Sequence, residues 1–255
     1  LDRLSEVVAM LKQFSGFAYF GELVTMVSKL EDKIHVHKKK EKSYLHLEKN
    51  DLLKGLNWIE MLHKALIKKV SLMIEYQSFK AKKSTSLIFY PYLLKEYRNR
   101  WFLLGMVKKN KQIQVWALDR MIDVQYLTNE PFQEVEGFDA EHFFDDVIGV
   151  SKTKDQKPIC VILEIIKPEA SYIQTKPIHP SQTVLKETET SLIFSITVIW
   201  NFELEREILS FGEAMKVRGP NHLVRKMKSR MRRMLALYET EEAEDKNPPA
   251  PHSSE

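Results

Sequence analysis

Apolar residues recur at three- and four-residue steps near the start of the chain, at Leu4, Val7, Val8 and Leu11 and again at Leu23, Met26, Val27 and Leu30. That spacing predicts two amphipathic helices. A third set, Leu52, Leu56, Ile59, Leu62, Ala65 and Leu66, predicts another helix, with Asn50 or Asp51 placed to cap it and Lys68-Lys69 at the negative end of its dipole. The period then drops to two. Val70, Leu72, Ile74 and Tyr76 alternate with Ser71, Met73 and Glu75, the pattern of a half-buried strand. Lys80 to Ser84 makes a polar turn, and Leu87 to Tyr92 is the next strand. Trp101, Leu103 and Gly105 face one way and Phe102, Leu104 and Met106 the other, so this strand is apolar on both sides and expected to be covered on both. The pattern resumes after Lys108–Gln112 at Ile113, Val115 and Ala117, and Ile122 to Tyr126 is a last short strand. Short strands in such quick succession, with no helix long enough to cross over, predict a small, strongly bent antiparallel barrel.

Beyond the barrel the texture changes twice. Phe132 to Val150 reads as a linker with one short helix, capped by Asp139, whose Phe143, Phe144 and Val147 are expected to dock on the barrel. From Ile159 the order is strand (to Ile166), helix (Pro168–Thr175, proline at a permitted first position), hairpin (Thr183–Lys186 and Ser191–Trp200), helix (Leu204–Phe211, ended by Gly212), strand (Met215–Arg218) and long helix (Pro220–Tyr238). This is the split βαβ plan of a ferredoxin-like α+β domain. The expected fold is therefore α+β: a helical module over 1–69, the barrel over 70–130, a linker over 131–157, the ferredoxin-like domain over 158–239 and a disordered acidic, proline-rich tail over 240–255.

The stretch from Pro91 to Met121 also carries a resemblance. Trp101-Phe102-Leu103 stands where the WYL-domain family has Trp-Tyr-Leu, Pro91-Tyr92 matches its Pro-Tyr, and Leu118-Asp119-Arg120-Met121 is similar to its Leu-Asp-Arg-Ile ending. Ser210-Phe211-Gly212 and Pro177-Ile-His-Pro-Ser-Gln182 resemble the C-terminal WCX-type extension of these regulators. The resemblance implies an Sm- or SH3-like barrel that senses a ligand, a C-terminal domain that helps form a homodimer, and operator DNA read by an N-terminal winged helix-turn-helix. Residues 1–69 lack two adjacent short helices with a polar, basic reading face, so that DNA reader is expected to be missing from this chain.

Net charge of +4 with 44% apolar and 29% charged residues is that of an ordinary globular protein, mildly basic, and permits a polyanionic partner without requiring one. One cysteine, Cys160, excludes a disulfide framework within the chain and reads as a buried structural thiol in a cytoplasmic protein. No apolar run is long enough to cross a bilayer, and no membrane partner is expected. The run Lys38-Lys39-Lys40 reads as exposed loop, and His35 and His37 lack further ligands at metal-binding spacing.

No catalytic motif stands out: no phosphate loop, no Gly-x-Ser-x-Gly, no His-Glu-x-x-His, no Cys-x-x-Cys. No cofactor is expected, and His179 with Ser181 lacks a third group to orient it. Anion capture is the better reading. Arg98, Arg100 and Arg120, with Lys80, Lys82 and Lys83 from a neighbouring turn, are expected on one rim of the barrel with the rings of Tyr76, Tyr92 and Trp116. Guanidinium forks hold phosphates and flat rings stack bases, which suits a nucleotide or a short single-stranded nucleic acid. Ser78 and Gln114 complete the candidate site. Relatives commonly have arginine at the position of Gln114, so this chain brings one charge fewer. The competing expectation is a protein-interaction and dimerisation scaffold, its arginines paired with Glu96 or Asp119. The basic stripes Arg225/Lys228/Arg232 and Lys226/Arg230/Arg233 of the last helix read as solvated faces balanced by the acidic residues after Tyr238, with a ligand-facing stripe as the alternative.

Overall fold

The computed structural model of the protein describes residues 53–152 and 156–245. The first two expected helices, the Lys38–Lys40 run and the last ten residues of the tail lie outside the described residues. Two compact units divide between His142 and Phe143.

In the first unit, helix α1 spans Ile59–Lys68 after a 3-10 turn at Leu56–Trp58. It starts later than the spacing from Leu52 predicts, because Gly55 takes φ +86 and seats its backbone against Leu118 and Asp119. A Cβ there would lie 2.4 Å from the carbonyl carbon of Leu118. Lys69, left-handed at φ 49, ends the helix, and the N–H groups of Lys69 and Val70 close on Leu66 and Ala65. Ile59, Leu62 and Ala65 are buried in a shared core with Leu72, Ile74, Phe89 and Leu103.

The strands are β1 Ser71–Tyr76, β2 Thr85–Tyr97, β3 Arg100–Val107, β4 Gln112–Ala117 and β5 Met121–Leu127. All pairings are antiparallel, in the order β4-β3-β2-β1-β5. The described residues contain no ladder between β4 and β5, so the sheet is open and the expected closed barrel is not formed. It is nonetheless curled. A flat five-stranded sheet would hold its edges ~19 Å apart, whereas the three-residue turn Leu118–Arg120 joins the C-terminus of β4 to the N-terminus of β5 and spans ~14 Å at most. Leu87–Tyr92 and the start of the following hairpin are one strand, β2, whose bulge between Pro91 and Leu93 accommodates the proline. The short helix expected after Phe138 is absent. Asp139 does act as a cap, its Oδ1 accepting from Glu141 N (3.0 Å) and His142 N (3.2 Å), but the chain continues in turns.

In the second unit, β6 (Ile159–Ile166), α2 (Lys167–Thr175), β7 (Thr183–Glu187), β8 (Ser191–Val198), α3 (Phe202–Ser210), β9 (Met215–Gly219) and α4 (Asn221–Asp245) follow the expected βαββαβ order with a closing helix. The antiparallel sheet runs β7-β8-β6-β9. Val161, Leu163 and Ile165 of β6 and Leu192, Phe194, Ile196 and Val198 of β8 form the core with Ile173, Leu204, Ile208 and Leu223 of the helices. Helix α4 runs past Tyr238 to Asp245, so the first residues of the expected disordered tail are helical. Phe144 and Val147 are buried, and their segment belongs to this unit, where the Asp146 carbonyl accepts from Ile199 N at 2.7 Å. Asn201 caps α3 by accepting from Leu204 N (2.8 Å) and donates to the carbonyls of Ile148 (2.8 Å) and Ser151 (3.0 Å). Strand β7 is an edge, exposed throughout and bulged between Val184 and Lys186.

Cys160 is exposed, not buried. Its place in the apolar run Ile159–Ile166 suggested a buried thiol, but only alternate residues of β6 enter the core, and Cys160 pairs with exposed Thr197 on the other face. Glu164 shares that face, with ion pairs to Lys216 (3.0 Å) and Arg218 (2.6 Å). Burial pushes its carboxyl up, but Lys216, the Ser191 hydroxyl and Arg218 together outweigh this and hold it at about 2. Its folded pKa lies below its unfolded value of 4.5, so the stabilisation is complete above that value and is lost as pH falls toward 2. Glu164→Gln is expected to cost about 2 kcal/mol at neutral pH, a difference that closes as urea unfolding curves are taken down to pH 2. A cost independent of pH would refute the assignment.

Candidate functional site

The corner between β4 and β5 gathers part of the expected set. A register shift between Glu75 and Tyr76 sets Tyr76 opposite Met121, and Gln77 N donates to the Arg120 carbonyl at 3.1 Å. The indole of Trp58 pins the same corner by donating to the Met121 carbonyl (3.3 Å). Tyr76 stacks on Trp116 with ring centroids 4.6 Å apart and planes 27° from parallel. Trp116 also packs on Phe89, again at 4.6 Å, and donates from Nε1 to Gln114 Oε1 at 2.8 Å.

Arg120 lies over the Phe79 ring, 4.5 Å from its centroid, and its guanidinium hydrogen-bonds Tyr76. Burial raises the Tyr76 phenol, and the positive charge of Arg120 opposes that rise. Arg100 and Arg120 share one carboxylate: Arg100 approaches Asp119 Oδ2 at 3.6 Å and Arg120 Nε approaches Oδ1 at 3.8 Å. Asp119 Oδ1 and Arg120 Nε are buried and have no hydrogen-bond partner among the described residues. They attract as charges but leave a polar atom of each unsatisfied.

Other expected members stand differently. Trp116 is only 6% exposed, so it is a core ring that supports Tyr76 and offers no free face. Tyr92 faces another set of partners: it donates to the Gln133 carbonyl at 2.9 Å, packs against Phe132 and Phe138, and lines a recess of about 260 Å³ with Leu66, Lys69 and Glu134. It is the bulged residue of β2, without a partner on β3, and burial with nearby Glu134 raises its phenol. Arg98 sits in the β2–β3 turn at φ 51 with its guanidinium 5.7 Å from the Tyr97 centroid. Glu96 Oε1 accepts from Asn99 N at 2.5 Å in the same turn. Lys80, Lys82 and Lys83 are exposed on the turn after β1, which is tied by Ala81 N to the Ser78 carbonyl (2.9 Å).

Phe79 was missed by the sequence reading. It is 73% exposed, a lone aromatic in a polar turn, and that isolation was the available signal. In the second unit His179 and Ser181 do meet, at 2.7 Å, but Ser181 Oγ also accepts from Thr197 N (2.8 Å) and donates to the Thr197 carbonyl (3.2 Å). The pair fastens a loop to β8. The described residues hold no cluster of three or more potential metal ligands, and no helix among them is long and apolar enough to cross a membrane.

Comparison with known proteins gives two domain matches, a WYL domain over residues 57–126 and a WCX domain over residues 157–235. No curated protein matches the chain. Among solved structures, proteasome accessory factor B/C (PafBC) of Arthrobacter aurescens is 16% identical, with a TM-score of 0.35, over 88% of this chain and 32% of that one. A CRISPR Cas-related protein is 11% identical, with a TM-score of 0.44, over 73% of this chain and 52% of that one. The chain thus spans between a third and about half of the length of these structures.

Proposed function

The chain belongs to the WYL-domain family, a WYL domain followed by a WCX domain, and from that premise we propose that it is the ligand-sensing part of a DNA-binding transcriptional regulator. The effector is a nucleotide or a short single-stranded nucleic acid bound at the β4–β5 corner of the first unit. Operator DNA is read by a domain outside this sequence, and the ferredoxin-like second unit serves a homodimer. One observation carries the reading: Arg100 and Arg120 meet on a single carboxylate beside the stacked Tyr76 and the exposed ring of Phe79. Two cations against one anion leave the corner positive. An arriving phosphate accepts from the exposed guanidinium of Arg100, which reaches Asp119 only at 3.6 Å, and Phe79 and Tyr76 supply flat faces for a base. Gln114 is already engaged by Trp116 and belongs to the support of the corner. Lys80 and the Ser78 turn adjoin it in sequence through Phe79, and Arg98 extends the site from the β2–β3 turn in this reading.

The test is titration with short oligonucleotides at several salt concentrations. Each phosphate contact to a single strand adds about −0.7 to the slope of log K against log salt. Arg100→Ala with Arg120→Ala is expected to weaken binding by roughly tenfold or more and to flatten that slope by about 1.4. Absence of binding at low salt, or an unchanged slope in the double variant, overturns the effector reading. The alternative, a protein-interaction and dimerisation scaffold, is favoured by the same carboxylate, since Asp119 already occupies both arginines. A tight dimer with no oligonucleotide affinity would select it.

A further inference from the structure

One basic stripe of α4 is not absorbed by that reading. Lys226, Arg230 and Arg233 follow one another at steps of four and three, on one face of the helix, and His222 continues the row one turn earlier. Together they line a recess of about 750 Å³ in the second unit. Spacing alone suits a solvated face, with a ligand-facing stripe as the alternative, and the structure gives it a wall opposite. Trp200, just beyond β8, and Phe202, at the start of α3, form that wall, and Lys157 adds a fourth cation.

The arrangement is built, not incidental. Glu205 is 8% exposed, accepts from the Trp200 indole at 2.8 Å and pairs with Arg230 at 2.5 Å. It therefore fixes one ring and one guanidinium relative to each other. His222 lies 5.0 Å from the Trp200 ring, inclined by 30°. Arg206 and Arg230 each stand 5.8 Å from the Phe202 centroid, and that ring is 58% exposed. Among the described residues Glu205 is the one carboxylate lining the recess, and it is spent on these two contacts. No ion pair within the described residues engages Lys157, Lys226 or Arg233.

We infer that this recess is a second ligand site, for a molecule carrying a phosphate and a flat ring, as a free nucleotide or the end of a single strand does. Its volume is that of a small-ligand pocket. Lys226 and Arg233 supply the charge for the phosphate, and Trp200 and Phe202 supply the faces for the ring. The site uses none of the residues of the β4–β5 corner, so it stands or falls independently of the effector reading.

The experiment follows the indole N–H resonance of Trp200 in the full chain, assigned by its loss in Trp200→Phe, during titration with AMP. A saturable shift is expected, with adenosine and inorganic phosphate each at least about tenfold weaker, a loss of roughly 1.4 kcal/mol. Lys226→Ala with Arg233→Ala, both exposed positions, weakens AMP by a similar factor, whereas Arg100→Ala with Arg120→Ala leaves this shift unchanged. A 5′-phosphorylated oligothymidylate that displaces AMP identifies a strand end as the source, and one that fails to do so identifies free nucleotides. No saturable shift, equal binding of inorganic phosphate, or full retention in the Lys226/Arg233 variant overturns the site.

Discussion

Replacing Gly105 by alanine is expected to destabilise the first unit by about 3–5 kcal/mol, the range of a severe core defect. Gly105 sits in the middle of β3, paired with Pro91 on one side and Gln114 on the other. A methyl group there would lie 2.2 Å from the Tyr90 carbonyl oxygen and 2.3 Å from Phe89 Cε1. Neither neighbour can retreat. The first is backbone inside a ladder, and the second is the edge of a fully buried ring wedged against Trp116. Alanine gains less than about 1 kcal/mol from its narrower unfolded ensemble, far too little to offset the overlap. Gly137→Ala is the control: its methyl group meets open space, and only the left-handed backbone penalises it, by roughly 1–2 kcal/mol. Urea unfolding followed by tryptophan fluorescence checks both. A Gly105→Ala protein within 1 kcal/mol of the parent would show that β2 and β3 can separate more freely than this packing allows.

Asn201→Asp is the second large expectation, a loss whose size depends on pH. The amide does two jobs that a carboxylate cannot combine. Its oxygen caps α3, and its nitrogen donates to the carbonyls of Ile148 and Ser151. Aspartate keeps the cap but turns a charged oxygen toward two carbonyl oxygens in a site only 8% exposed. The loss at neutral pH is expected to be about 3–4 kcal/mol, from two stranded acceptors and a desolvated charge. Desolvation and those carbonyls raise the folded pKa of the new carboxyl above its unfolded value of about 3.9. Such a group is better tolerated protonated, so the penalty relative to the parent shrinks as pH falls through the raised folded pKa and grows as pH rises through it. Asn201→Ala loses the cap and both donors without the charge, and its penalty does not depend on pH. Thermal unfolding of the three proteins between pH 4 and 8 separates these outcomes. Equal pH profiles for the Asp and Ala variants would refute the assigned role of the amide nitrogen.

Period-two alternation, together with short apolar runs bounded by turn residues, was enough to place the nine strands of the described residues. It could not reveal features made by distant residues. The late start of α1 depends on Gly55 resting against Leu118, sixty-odd positions away in sequence. The sidedness of Cys160 was hidden for a related reason: Ile159–Ile166 is apolar at nearly every position, and only the register with Thr197 tells which residues the helices cover. At the candidate site, Arg100, Arg120 and Tyr76 were legible because strand ends and a short turn must bring them near one another. Trp116 and Tyr92 were not. An aromatic residue type does not say whether its ring is walled in by Tyr76 and Phe89 or freed, and a bulge that redirects Tyr92 leaves no mark in the alternation. Phe79 went unread because a single ring in a polar turn resembles ordinary surface until Arg120 is seen above it.

Among the described residues, strand β7 leaves one rim of the second sheet without a neighbour, a place where a strand from another chain could add itself. Two of its side chains, Val184 and Leu185, are apolar and about half exposed, which would ordinarily invite such recruitment. The extra residue between Val184 and Lys186 kinks the rim, and Lys186 and Glu187 place charge beside it. A straight incoming strand would find its hydrogen-bonding partners out of step after two residues. The kink therefore opposes strand-by-strand growth from this edge.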